Sequence, residues 1–325
     1  MNLRDKIFTA DAKNFESIAL EVFEFQYANC EVYQKFCDAF RKSPMLVKSI
    51  DQIPFLPVEF FKTHKIYSRG KEAEVVFSSS GTTGQETSKH YVADVKLYEE
   101  SFVRSFLNFY GDPSQYIIAA LLPSYLERKG SSLVYMADAL IRMSQNSSSG
   151  FFLNDRKELA ELLKTKMSGD KKIVLLGVTY ALLDLAEEFP MQLKNAIVME
   201  TGGMKGKRKE MIREEVHEIL TKSFGVDKIH SEYGMTELLS QAYSKGDGIF
   251  NCPPWMKIVI REMNDPMTNA ANGKTGGVNI IDLANLYSCS FISTSDLGRK
   301  HDDDSFEILG RFDNSDLRGC NLMIE

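Results

Sequence analysis

The sequence predicts an α/β fold in which parallel strands flanked by helices are followed by a β-rich subdomain. Three observations lead there. Between Ile173 and Ser231, apolar runs of strand type alternate with helical periods. After Pro253-Pro254 the pattern changes to shorter strands separated by Asn, Asp and Gly turns. The 325 residues are 43% hydrophobic and 26% charged, with 21 Gly and 9 Pro, the composition of a globular chain able to bury a core.

Each element has its own reason. From Asp11 to about Lys42, the residues Ile18, Val22, Phe23, Tyr27, Val32, Phe36 and Phe40 recur at helical spacing without Pro or Gly, so one or two amphipathic core helices are expected. Prolines hold Ile53-Pro54-Phe55-Leu56-Pro57 extended. Residues 74–77 form a short strand that empties into a Ser/Gly-rich loop. The middle of the chain reads strand 173–178, helix 181–189, strand 196–200, helix 207–224 and strand 228–231, with Gly225 suited to a left-handed helix cap. Such a βαβαβ run implies parallel strands, and ligands of such sheets bind beyond the carboxyl ends of the strands. Strands at 256–261, 277–282, 289–294 and 306–309 complete the β-rich part.

Charge and composition exclude several function classes. With 39 Lys and Arg against 45 Asp and Glu, the net charge is −6, which offers nothing to displace counterions from nucleic acid. The first fifteen residues lack the apolar run of a signal peptide, and no later run reaches bilayer length, so a cytoplasmic protein without a membrane span is expected. Cys30, Cys37, Cys252, Cys289 and Cys320 are odd in number and lack CxxC spacing, which argues against a disulfide framework or a structural zinc site.

The motifs carry the chemistry. Ser78-Ser79-Ser80-Gly81-Thr82-Thr83-Gly84 concentrates hydroxyls and glycines, a composition that lets backbone N–H groups approach a phosphate. A surface turn is the plainer reading of that loop alone. Gly273-Lys274-Thr275 ends like a phosphate-binding loop, but Thr268 stands where the first glycine is required. His301-Asp302-Asp303-Asp304 lies between two strand-like segments and reads as a solvated hairpin turn. No G-x-S-x-G elbow or H-E-x-x-H helix occurs, which removes the common hydrolase signatures.

Three further segments join the Ser/Gly loop: Glu200-Thr201-Gly202-Gly203; Ser231-Glu232-Tyr233-Gly234-Met235-Thr236-Glu237; and Ser293-Thr294-Ser295-Asp296-Leu297-Gly298-Arg299, with Gly310-Arg311-Phe312-Asp313 after it. The first two follow parallel strands and so fall at one edge of the sheet. In order and content the four resemble the adenylate-forming superfamily of acyl-CoA synthetases, luciferases and peptide-synthetase adenylation domains. The segment IPFLPVEFFK at 53–62, Pro123-Ser124-Tyr125-Leu126-Glu127-Arg128 and the ending from Gly310 to Cys320 narrow the resemblance to LuxE-type acyl-protein synthetases, over essentially the whole chain.

That resemblance implies the large-domain fold of an adenylate-forming enzyme over residues 1–310, with a short tail at 311–325 in place of the superfamily's C-terminal lid. It implies that Ser79, Ser80, Gly81, Thr82, Thr83 and Gly84 wrap the phosphates of ATP, that Gly202 and Gly203 admit the adenine, and that Tyr233, with Gly234 behind it, stacks on the base. Thr236 would bond a phosphate or carboxylate oxygen, Glu237 would hold Mg2+, and Asp296 and Arg311 would take the ribose. Cys320 would accept the acyl group as a thioester. The implied activity is ATP-dependent activation of a carboxylic acid, a fatty acid above all, to an acyl-adenylate (AMP bound as the mixed anhydride). Acyl transfer to the cysteine and on to a reductase or acyltransferase partner would follow. Two other readings stay open: an acyl-CoA ligase of the phenylacetate-CoA ligase type, and a catalytically degenerate nucleotide-binding subunit.

Overall fold

The structure, a computed structural model, describes residues 1–79, 87–123, 130–204, 207–263, 265 and 267–312. The expected segments at 80–84, 124–128 and 313–320, including Cys320, lie outside the described residues. The strands are β1 (Leu56–Pro57), β2 (Val75–Ser78), β3 (Lys89–Val92), β4 (Tyr116–Leu121), β5 (Gly150–Phe151), β6 (Lys172–Val178), β7 (Ala196–Thr201), β8 (His230–Tyr233), β9 (Ala242–Ser244), β10 (Ile249–Asn251), β11 (Met256–Arg261), β12 (Thr275–Asp282), β13 (Phe291–Lys300) and β14 (Phe306–Arg311). The chain divides into two compact units, one of Met1–Gly70 with Pro254–Glu325 and one of Lys71–Pro253.

In the Lys71–Pro253 unit the expected βαβαβ run is present as β6, the helix Thr179–Glu188, β7, the helix Arg213–Phe224 and β8. Strands β4, β6, β7 and β8 pair parallel, with Val178 opposite Thr201 and Thr201 opposite Glu232. The carboxyl ends of β7 and β8 therefore leave the same edge of the sheet. Their apolar runs are continuous because both faces are covered, and Leu175, Val198, Leu182 and Leu185 are fully buried. Gly225 caps the second helix at φ 59° and ψ 36°, the left-handed conformation expected of it. The helix starts at Arg213 and not at Lys207. Strands β9 and β10 extend the sheet antiparallel, and β2 pairs with β3 as a separate hairpin.

In the other unit β11, β12, β13 and β14 form an antiparallel meander, and β1 joins β13 in parallel. The amphipathic stretch becomes two helices, Phe15–Asn29 and Glu31–Ala39, broken at Cys30, whose extended backbone (ψ 104°) cannot continue a helix. Their buried face packs Phe23 and Tyr33 against Phe291 of β13, with ring centroids 6.1 and 6.0 Å apart. The polar run at 301–304 is a turn, with Asp304 at φ 66°. Among the described residues no helix is long and apolar enough to cross a membrane.

Candidate functional site

At the edge where β7 ends, Gly202 adopts φ 69° and an added Cβ on Gly203 would meet nothing within 4 Å. The turn therefore offers open space against backbone, as a flat ligand requires. Just before it, Glu200 is buried and accepts from the Thr179 hydroxyl at 3.0 Å. From the helix Arg213–Phe224, Arg213 Nε lies 3.6 Å and His217 Nε2 3.7 Å from Glu200 Oε1. Burial pushes the Glu200 carboxyl up, but His217 and Arg213 outweigh it and hold the group below the usual carboxylate range.

The neighbouring strand β8 ends at Tyr233, which is half-buried. Its ring meets Phe250 edge-on at 6.0 Å, and the Arg213 guanidinium lies 5.0 Å from the centroid of Phe250. Phe250 thus links Tyr233 to Arg213 through an edge contact and a cation–π contact. Glu232, buried beside it, accepts from the Thr201 hydroxyl and so ties β8 to β7. Gly234 suits this packing, because a Cβ there would crowd Glu232 Oε1 and force that buried, bonded carboxylate to shift. Glu237 is buried and Thr236 partly so.

Thr236 has a partner that sequence reasoning missed. The imidazole of His90, wholly buried on β3, places Nδ1 2.9 Å from the Thr236 carbonyl oxygen. The hairpin that carries His90 closes through Ser79 and Ser88: the Ser79 N–H donates to the Ser88 carbonyl (3.1 Å), and the Ser88 N–H to the Ser79 hydroxyl (3.0 Å). Ser79, one of the expected phosphate ligands, thus forms the base of the Ser/Gly segment. No signal in the sequence marks His90: its place on the core face of β3 appears only once the burial of Lys89–Val92 is known.

In the second unit Asp296 and Arg311 are register partners across β13 and β14, and Arg311 Nε donates to Asp296 Oδ1 at 2.9 Å. Asp296 has a side chain 6% exposed and Arg311 one 74% exposed, so a buried carboxylate is approached by a solvent-facing guanidinium. The sequence reading ended this strand at Thr294; β13 instead runs on to Lys300 with a register shift at Leu297 and Gly298. Polar residues stay in the strand because each is bonded: the Thr294 hydroxyl to the Val278 carbonyl (2.8 Å), the Ser295 hydroxyl to Glu59 (2.9 Å), Asp296 to Arg311. Arg261, also missed, donates to the carbonyls of Val278 (2.9 Å) and Thr294 (2.7 Å). Gly277 makes room for it, since a Cβ would lie 2.3 Å from its guanidinium carbon.

Within Lys71–Pro253 the structure thus brings Gly202, Gly203, Tyr233 and Gly234 to one sheet edge, with Thr236 bonded to His90 of the β2–β3 hairpin. Within the other unit it joins Asp296 to Arg311. Ser80, Gly81, Thr82, Thr83, Gly84 and Cys320 lie outside the described residues. Three of the four described cysteines are poor nucleophiles: Cys30, Cys37 and Cys289 are buried, and burial raises all three thiols, that of Cys37 to about 12.

Comparison with known proteins completes the picture. In a curated relative, the long-chain-fatty-acid–luciferin-component ligase of Photorhabdus luminescens, 34% of residues are identical over 70 positions, 21% of this chain and 60% of that protein. The ATP-bound structure of MatB from Rhodopseudomonas palustris superposes with a TM-score of 0.55 at 16% identity, over 75% of this chain and 49% of MatB, so the chain spans about half of MatB's length. An open conformation of 2-hydroxyisobutyryl-CoA ligase in complex with 2-HIB-AMP and CoA gives 0.69 at 12% identity, over 95% of this chain and 78% of that one. These likenesses establish the fold, that of adenylate-forming enzymes. The profile of a family described as acyl-protein synthetase, LuxE, matches residues 8–325, and since that match runs almost from end to end and takes in every motif above, the chain belongs to the LuxE family.

Proposed function

We propose that the protein activates a carboxylic acid, a fatty acid by preference, with ATP, and carries the acyl group on Cys320 for delivery to a partner reductase or acyltransferase. The observation that carries this reading is the shared sheet edge, where an open Gly202-Gly203 turn and Tyr233 leave adjacent parallel strands in a LuxE-family chain.

The residues fit a nucleotide. Tyr233, half-buried at the end of β8, is suited to stack on adenine. Gly203 lets the base approach backbone. Asp296 accepts from ribose hydroxyls while Arg311 holds the carboxylate in place. Thr236 and the Ser79–Gly84 segment supply hydroxyl and N–H donors to phosphate oxygens. Glu237 suits Mg2+, which takes one or two carboxylates and completes its shell with phosphates and water.

The substrate carboxylate attacks the α-phosphorus, the bond to pyrophosphate breaks, and an acyl-adenylate forms. The Cys320 thiolate then attacks the acyl carbon and AMP leaves with the bonding pair, giving a thioester. The protein's part is positioning and neutralisation of charge. Cys320 is the acceptor that the LuxE resemblance implies; burial disables Cys30, Cys37 and Cys289, and half-buried Cys252 is the competing thiol that the Cys320→Ser variant tests. A cytoplasmic setting, in which thiols stay reduced, suits this role.

Fatty-acid-dependent exchange of labelled pyrophosphate into ATP is the direct test, and no exchange with any acid would exclude the enzymatic reading. Intact-mass measurement after incubation with ATP, Mg2+ and fatty acid should show a hydroxylamine-sensitive adduct that Cys320→Ser abolishes. Acyl-CoA release by that variant on addition of coenzyme A would identify CoA as the acceptor instead.

A further inference from the structure

The buried imidazole of His90 joins two segments that sequence order keeps far apart. It sits on β3 opposite Phe77 of β2, and these two strands are continuous in sequence with the Ser/Gly segment on either side of it. Its Nδ1 lies 2.9 Å from the carbonyl oxygen of Thr236. A carbonyl can only accept, so Nδ1 carries the proton, and in the neutral ring Nε2 is then the acceptor nitrogen. Burial favours the neutral ring and outweighs the bond to Thr236, pushing the group down to about 4. The ring is therefore held in one tautomer and one orientation at neutral pH. Further contacts stiffen the same hairpin: the Ser78 N–H donates to the Gly130 carbonyl at 2.7 Å, and Ser79 pairs with Ser88. On the other side of the tether, Thr236 directly precedes the buried Glu237.

We propose that His90 is a positioning residue: by donating Nδ1–H to the Thr236 carbonyl it holds the Tyr-Gly-Met-Thr-Glu segment against the β2–β3 hairpin, and so fixes the backbone from which Thr236 and Glu237 meet the phosphates. This rests on the adenylation reading above and adds to it the device that aligns two of its parts. A fixed backbone at Thr236 leaves its side chain and that of Glu237 few orientations to search, and misplacement by about an ångström at such a point costs on the order of 100-fold in rate. The contact does not involve the acyl substrate, so the loss should fall on turnover and on ATP, not on the fatty acid.

The test exploits the tautomer. Asparagine places an amide nitrogen where Nδ1 stands, whereas glutamine carries it one bond farther, toward Nε2. His90→Gln and His90→Ala should lower kcat for pyrophosphate exchange by about 100-fold with the fatty-acid KM unchanged, while His90→Asn stays within about 3-fold of the parent. Thermal unfolding of all three variants separates position from stability. Full activity in His90→Gln, or loss in His90→Asn as deep as in His90→Ala, overturns the inference. Hydrogen exchange in residues 231–240 reads the tether without reference to catalysis: His90→Gln should speed it and His90→Asn should not, and equal rates in both overturn it as well. A parent protein that shows no exchange of pyrophosphate sinks the adenylation reading, and the hydrogen-exchange arm still judges His90.

Discussion

Two glycines at the edge where β7 and β8 end answer to different constraints, and substitution should separate them. A methyl at Gly203 would enter open space, whereas one at Gly234 would sit 2.4 Å from a carboxylate oxygen of Glu232, itself bonded to Thr201. Gly203→Ala should therefore unfold within about 0.5 kcal/mol of the parent while weakening ATP binding, and Gly234→Ala should lose about 2 kcal/mol as Glu232 is driven off its partner. Urea denaturation with parallel nucleotide titration reads both, and equal stability of the two variants would refute the packing argument. Histidines set a second expectation. His90 and His230 are pushed down from 6.5 to about 4, in both cases chiefly by burial. The unfolded chain takes up protons between those values that the folded chain refuses, so stability is complete above about pH 7 and falls as pH drops toward 4, by up to about 3 kcal/mol for the fully buried His90. Glu200 continues the loss at lower pH, because its carboxyl lies below the usual range in the fold and must be protonated through that range on acidification. Urea midpoints at about pH 7.5 and about pH 5 should differ in the parent and less so in His90→Asn; a flat profile in the parent would contradict the buried neutral ring.

At the scale of elements, the segment IPFLPVEFFK acquires a structural reason. Leu56 and Pro57 pair in parallel with Ile292 and Ser293, the Val58 N–H donates to the Ser293 carbonyl at 2.9 Å, and Glu59 accepts from the Ser295 hydroxyl. The segment therefore braces the strand just ahead of Asp296. The brace uses the Ser295 hydroxyl, which donates to Glu59 at 2.9 Å. Ser295→Gly should cost about 1 kcal/mol, the sum of a lost exposed hydrogen bond and a more flexible backbone. In a double-mutant cycle with Glu59→Ala the coupling should be about 0.5 kcal/mol, and a coupling of zero would show that the pair does not brace the strand. The elements themselves were legible to different degrees. The run from β6 to β8 was readable because continuous apolar strands and amphipathic helices differ in period, and Gly225 marks a boundary. The far end of β13 was not, because Thr294, Ser295 and Asp296 look like a turn until their partners Val278, Glu59 and Arg311 are known. His90 and Arg261 were invisible for the same reason: a buried polar side chain announces itself only through the carbonyl it satisfies, and those carbonyls are far away in sequence.

Across the whole molecule the two units differ in how the chain builds them, and this governs how they should come apart. Lys71–Pro253 is continuous, whereas the other unit joins Met1–Gly70 to Pro254–Glu325 and must close a long loop to form. One buried side chain concentrates that closure. Gln26, fully buried on the helix Phe15–Asn29, donates through Nε2 to the carbonyls of Asn285 (2.9 Å) and Leu286 (3.0 Å) and to the Ser290 hydroxyl (3.0 Å), while its Oε1 accepts from the Ser290 N–H at 3.0 Å. Replacing it by leucine keeps the volume and strands several of those groups without partners in the core, at a cost of about 3 kcal/mol or more. The loss should be local. In Gln26→Leu, hydrogen exchange should quicken in residues 15–39 and 283–300 while β6, β7 and β8 keep the protection of the parent, and chemical denaturation should become biphasic. If instead a single transition shifts as a whole and β6 to β8 lose protection together with the rest, the two units form one cooperative body and Gln26 is merely one bond among many in it.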